Sequence, residues 1–196
     1  MIDKNDFLRL KKELKKFDSE RETLIKQSRD ILKQAKQAIY MVHRNELKLA
    51  EKVLSKIEKD NLTLQQKIKS RPKLNYLGAY NCAIQEYVEA RAYLGFVMNQ
   101  KVPTCENLGV QPEDYLLGLC DLTGELGRRA VASTIKKDFK EVYKIKECVE
   151  QIYGLFLELD LRNGELRKKS DSIKWNLKKI EDIVYDIKTK GMDDGC

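Results

Sequence analysis

From Asn5 to His43 no proline or glycine interrupts the chain, while Leu10, Leu14, Phe17, Leu24, Ile31, Ala35, Ala38 and Val42 recur at three- and four-residue spacing. Apolar residues at that period fall on one stripe of an α-helix, with Lys and Glu filling the rest of its surface. A helix of nearly forty residues far exceeds the usual ~11–12. It needs several neighbours, in its own chain or in another subunit, to cover its stripe. The whole chain carries only 3 Pro and 10 Gly in 196 residues. So few breakers favour long helices over a many-turned β fold.

The remaining segments read the same way. A second helix is predicted over Leu47 to Lys69, with Leu47, Ala50, Leu54, Ile57, Leu64 and Ile68 inward, and Pro72 stops the chain from continuing it. Tyr76 to Asn99 is apolar nearly all round, with Glu86, Glu89 and Arg91 its only charges. That pattern marks a central helix. Gln100 to Pro112 reads as a loop. A fourth helix is predicted over Glu113 to Ser133, where Gly118, Gly124 and Gly127 would admit another backbone at close range. Asp138 can cap a fifth helix ending at Glu158. Asn163 and Gly164 then break the chain before a last helix over Glu165 to Lys188, with Leu166, Ile173, Leu177, Ile180, Val184 and Ile187 on one stripe. No repeat or linker divides the sequence. The expected architecture is all-α, a single-domain bundle of six to seven helices over residues 1–190, with a flexible tail at 191–196.

Charged residues make up 35% of the chain and hydrophobic ones 42%, a balance suited to helices with one wet and one buried face rather than to disorder. The net charge of +7 draws such a protein toward polyanions. Five cysteines, Cys82, Cys105, Cys120, Cys148 and Cys196, make an odd set without a CxxC pair. They read as reduced, mostly buried thiols of a cytoplasmic protein. Met1 to Leu14 is too charged for a signal peptide, and no apolar run of about 20 residues exists to span a membrane. His43 is the only histidine, which argues against histidine-based zinc or acid–base chemistry.

Against this highly charged background, the acids of the two charge-poor helices stand out. Glu86 and Glu89 are three residues apart, and Asp121 and Glu125 are four apart, so each pair lies on one side of its helix. If the helices are neighbours, four carboxyl groups converge. Such a cluster needs positive charge. Oxygen donors without His or Cys suit Mg²⁺ or Mn²⁺, ions that stabilise the charge developing on a phosphodiester and activate water for in-line attack. The competing reading is an internal ion-pair network, with Arg91, Arg128 or Arg129 satisfying the acids.

Gln85-Glu86-Tyr87-Val88-Glu89-Ala90, Asp114-Tyr115-Leu116-Leu117-Gly118 and Asp121-Leu122-Thr123-Gly124-Glu125-Leu126 resemble the translin family, specifically its translin-associated factor X branch. Ser28-Arg29-Asp30-Ile31 and His43-Arg44 are similar to the long first helix of that family, whereas Leu166-Arg167-Lys168-Lys169 and Val184-Tyr185-Asp186 look more like translin itself. The resemblance implies a helical bundle that assembles into a closed, hollow oligomer and binds single-stranded RNA and DNA. In the factor X branch it also implies a Mg²⁺-dependent endoribonuclease site. Glu86, Glu89 and Asp121 match that site as catalytic and metal-holding residues, and Glu125, one turn on, joins them as a fourth metal ligand. The long insertion of factor X between the two motif helices is absent, so a homo-oligomer of six or eight subunits is expected rather than pairing with translin.

Strand binding requires cations for phosphates and flat groups for bases. Lys69, Arg71 and Lys73 flank Pro72, Arg128 and Arg129 follow the acidic motif, and Arg91 follows the glutamate pair; Tyr76, Tyr80 and Tyr87 are the aromatic candidates. Trp175 reads as a packing or interface residue. The leading expectation is therefore a Mg²⁺-dependent endoribonuclease for single-stranded RNA. A non-catalytic nucleic-acid-binding oligomer and a helical scaffold for protein partners are the alternatives.

Overall fold

The computed structural model describes residues 3–71 and 78–191. Seven helices and no strands occur among them: α1 Lys4–His43, α2 Leu47–Ser70, α3 Gly78–Val97, α4 Cys105–Leu108, α5 Pro112–Ile135, α6 Phe139–Leu157 and α7 Glu165–Thr189. The ends follow local chemistry. Asp3 accepts a hydrogen bond from the Asn5 amide at the start of α1, and Asp138 accepts one from Glu141 at the start of α6, as its sequence position predicts. Pro112 opens α5 at the first helical position, where its missing N–H costs nothing. The region expected to be a plain loop contains α4, a single turn closed by a Thr104–Asn107 capping box and ended by Gly109 in the left-handed region at φ 61°.

The apolar helix α3 packs between α1 and α5, and α7 closes over α5 together with α6. Thirteen residues of α3 are buried, which is why it carries so few charges. Leu24, Ile31, Ala35, Ala38 and Val42 of α1 meet Tyr87, Val88, Tyr93 and Leu94 of α3 in the main core. Burying one such Leu or Ile side chain contributes roughly 1.5–3 kcal/mol. The stripe of α1 is buried only from Leu24 onward. Leu10 and Leu14, expected to face inward, are exposed, along with Phe7 and Leu8. The first turns of α1 extend past the bundle, where none of the described residues covers them. Trp175 and Tyr185 on α7 are also exposed.

Two other expectations are corrected. Of the three α5 glycines only Gly118 sits at a tight approach, since a Cβ there would lie 2.7 Å from the Gln85 carbonyl oxygen and 2.7 Å from Val88 Cγ1. Gly127 has open space and Gly124 only a 3.7 Å neighbour, Asn176 Nδ2. Tyr80 and Tyr87 are core residues, not base platforms: both are buried, and the Tyr80 hydroxyl donates to Asn61 at 2.8 Å. Tyr76 lies outside the described residues. Of the four described cysteines, all free, Cys120 is buried and Cys82 is exposed. No helix of the described residues is long and apolar enough to cross a membrane.

Candidate carboxylate site

Gly118 brings the acids together. The two α3 residues against it, Gln85 and Val88, directly precede Glu86 and Glu89. Asp121 lies one turn after Gly118 on α5, so the close backbone approach fixes how near the two acidic pairs come. Gln85 reinforces the register by donating to Asp114 at 2.9 Å, one turn before Gly118. Asn176 of α7 donates to Thr123 at 2.9 Å and holds the third helix in place. Each contact ties neighbouring helices through buried or half-buried polar groups, which pair because leaving them unmatched is costly.

Glu89 is only 6% exposed, and neither it nor Glu86 has a hydrogen bond or ion pair with any described residue. Burial pushes the Glu89 carboxyl up to about 9, and the charges of Glu86, Asp121 and Glu125 add to the effect. Glu86 is raised for the same reasons, burial first, with Lys36 and Lys169 opposing it. All four predicted acids therefore act on one another, and the α3 pair is short of positive charge.

The α5 acids have partners. Asp121 forms an ion pair with Lys169 of α7 at 2.5 Å. Burial alone would lower the Lys169 ammonium, but the bond to Asp121 outweighs it and raises it. Glu125 contacts His43 Nε2 and both its oxygens accept from Arg128, at 3.0 and 2.9 Å. Burial raises the Glu125 carboxyl, yet these two partners hold it below its usual value. A carboxylate only accepts, so Nε2 of His43 donates to Glu125, while Nδ1 is hydrogen-bonded with the Tyr93 hydroxyl at 3.0 Å. As placed, no group of three or more His, Cys, Asp or Glu side chains among the described residues closes on a point where a metal ion would sit. Asp121 is turned toward Lys169, and Glu125 toward His43 and Arg128. The α3 pair nonetheless fits a hard cation in donor type, as two oxygen-bearing side chains with no partner among the described residues.

Of the described basic residues singled out in the sequence, Arg128 alone has an ion pair with one of the four acids. Arg91 turns the other way and pairs with Glu51 at 2.8 Å and Glu58 at 3.2 Å on α2. Arg129 pairs with Glu141 at 2.7 Å on α6. These two do not satisfy the four acids, contrary to the ion-pair alternative. Arg71 pairs with Glu20, Lys69 lines a cleft with Gln65, Tyr80 and Asp114, and Lys73 lies outside the described residues. Sequence reasoning missed three residues near the acids: His43, set aside as a lone histidine; Lys169, one of three consecutive basic residues; and Lys36, on the charged face of α1. Only the tertiary packing distinguishes them from solvated neighbours.

The sequence profile of the Translin family matches residues 19–191. Translin from Homo sapiens is 30% identical over 124 residues, 56% of this chain and 54% of that protein. Translin from Gallus gallus is 38% identical over 81 residues, 41% of this chain and 35% of that protein. Translin-associated protein X from Mus musculus is 25% identical over 213 residues, covering 88% of this chain and 73% of its own length. The chain thus spans between about a third and about half the length of the translins it matches. The crystal structure of apo-NeC3PO superposes with a TM-score of 0.86 at 28% identity, over 94% of this chain and 97% of that one. AfC3PO solved in complex with duplex RNA superposes with a TM-score of 0.81 at 27% identity, over 96% and 99%.

Proposed function

Because the chain belongs to the translin family, we propose that it is a cytoplasmic RNA-binding homo-oligomer that cuts single-stranded RNA with metal held by Glu86, Glu89 and Asp121. The observation that carries this reading is Glu89, a carboxyl group that is 6% exposed, has no partner among the described residues, and lies within the field of three other acids. A buried acid left in that state costs stability unless a cation joins it. The related AfC3PO was solved with duplex RNA, which supports RNA as the ligand class. The exposed apolar start of α1 and the exposed Trp175 and Tyr185 of α7 support assembly into an oligomer. Single-stranded DNA is a second ligand under the same reading.

Glu86 and Glu89 would hold Mg²⁺ or Mn²⁺ with Asp121, and Glu125 would join from one turn further along α5. When bound, the ion supplies charge stabilisation for the scissile phosphate and a water of lowered pKa. The chain's own residues prepare the site. Gly118 sets the spacing of the two helices, and Lys169 balances Asp121, a role that a bound cation would take over. His43 and Arg128 hold Glu125 in one orientation. Water would form the new P–O bond while the P–O3′ bond breaks and the leaving 3′-oxygen takes up a proton, so products would carry 5′-phosphate and 3′-hydroxyl ends.

The test is cleavage of a labelled single-stranded RNA with Mg²⁺ or EDTA, comparing wild type with Glu86→Gln/Glu89→Gln. Cutting that requires both the ion and the glutamates supports the reading. Cutting that persists in EDTA, or in the double variant, rejects it. Salt-sensitive binding with no cutting under any divalent ion would make the protein a non-catalytic binding oligomer.

A further inference from the structure

α1 turns a second, unassigned face to solvent. Arg29, Lys33, Lys36, Tyr40 and Arg44 are all exposed. At 100° per residue they fall within an arc of about 80°, and at 1.5 Å per residue the stripe is about 22 Å long. They border one open groove of about 850 Å³, with Leu32 and Met41 on its floor.

Three features separate this stripe from an ordinary wet helix face. First, Arg29, Lys33 and Lys36 have no ion pair or hydrogen bond with any described residue, whereas Arg21, Arg71, Arg91, Arg128 and Arg129 each have a carboxylate partner. Second, the aromatic ring among them is 60% exposed, with the guanidinium of Arg44, itself paired with Glu46 at 2.8 Å, lying 5.8 Å from its centroid. A flat side chain left in water on the same stripe as the unpaired Arg29, Lys33 and Lys36 is the combination that takes a base and its phosphates. Third, the stripe leads to the carboxylates. α1 packs along α3, Lys36 acts on Glu86, and His43 at the end of α1 contacts Glu125.

We propose that this stripe of α1 is the track that binds a single RNA strand and delivers it to the carboxylate site, with Arg29, Lys33 and Lys36 on phosphates and Tyr40 stacked on a base. The proposal rests on RNA being the ligand and does not depend on whether the strand is cut. A track of about 22 Å suits the short end of single-strand sites, about 4 nucleotides. The cations at its carboxylate end offset the repulsion between the acids and the incoming phosphates. Arg91 and Arg129, occupied by Glu51, Glu58 and Glu141, take no part.

The experiment measures binding of a fluorescent oligouridine in EDTA by anisotropy over a range of salt, with oligomer mass recorded for every sample. Arg29→Ala/Lys33→Ala/Lys36→Ala is compared with Lys174→Ala/Lys178→Ala/Lys179→Ala, which removes as many charges from the exposed face of α7. The track predicts at least about a tenfold loss for the first variant at moderate salt, and a salt slope shallower by about 2, since each strand phosphate contributes about 0.7. The control should change less than about threefold. Tyr40→Ala should weaken binding with the slope unchanged, while Tyr40→Phe retains it. A track variant that binds like the control overturns the proposal, even if wild type cuts RNA. So does a variant that alters oligomer mass and not affinity, which would make the face a subunit contact. Weak binding by the track variant supports the proposal even if Mg²⁺ never elicits cutting, an outcome that counts against the nuclease reading alone.

Discussion

Glu89→Gln should make the metal-free protein more stable, and the gain should depend on pH in a defined direction. In the folded chain, burial lifts the Glu89 carboxyl from 4.5 to about 9. A carboxyl raised on folding favours the folded state fully below its unfolded value, and that contribution is lost as pH climbs toward the folded value. Between about 4.5 and about 9 the unfolded chain has released this proton and the folded chain has not, so stability falls across that window. At pH 8 the interval above 4.5 is about 3.5, and at 1.36 kcal/mol per unit the burden reaches about 5 kcal/mol at the outside. Relaxation of the side chain toward solvent reduces it, and a gain of about 2 kcal/mol is the least the burial supports. The glutamine amide keeps the shape and does not ionise. Urea unfolding in EDTA, at equal protomer concentration, should show the variant about 2–5 kcal/mol more stable than wild type at pH 8 and nearly equal at pH 4.5. Mg²⁺ should then stabilise wild type and not the variant. A variant that is less stable than wild type at pH 8 in EDTA would refute the reasoning, because Glu89 would then have a partner that compensates its burial.

The close approach at Gly118 predicts that Gly118→Ala costs about 1–3 kcal/mol in thermal or urea unfolding, since its Cβ would meet the Gln85 carbonyl at 2.7 Å, whereas Gly127→Ala, with open space, should stabilise by about 0.4–1 kcal/mol. Tyr80→Phe leaves the buried Asn61 carbonyl without its 2.8 Å donor and should cost about 1–3 kcal/mol by the same assay. Lys169→Met removes the cation from Asp121 and should lower the melting temperature in EDTA, a deficit that added Mn²⁺ reverses; a deficit that Mn²⁺ leaves untouched would show that Lys169 and the ion do not share a place.

The bundle was legible in the sequence because its signal is local. Helix periodicity, the capping Asp138 and the stop at Pro72 each act within a few residues, and the helix ends fall close to where they predict. The charge-poor α3 was legible for a related reason, as a helix surrounded by others cannot carry charge. Its two glutamates therefore stood out as misplaced. The unburied start of α1 was not legible, since Leu10 and Leu14 keep the same period as Leu24 and Ile31, and only the reach of the bundle decides which are covered. Side-chain partners were the least legible. Arg91 and Arg129 follow the acidic motifs closely in sequence, yet helix rotation turns them to α2 and α6. Lys169 and His43 lie far from Asp121 and Glu125 along the chain and meet them only through packing of α7 and α1.

The most direct test of the central claim is diffraction from crystals grown with Mn²⁺, using its anomalous signal. The account predicts a peak ligated by Glu86, Glu89 and Asp121, with the Lys169 ammonium moved off Asp121. An absent peak with the glutamates unchanged, or a peak confined to other acids, would contradict it.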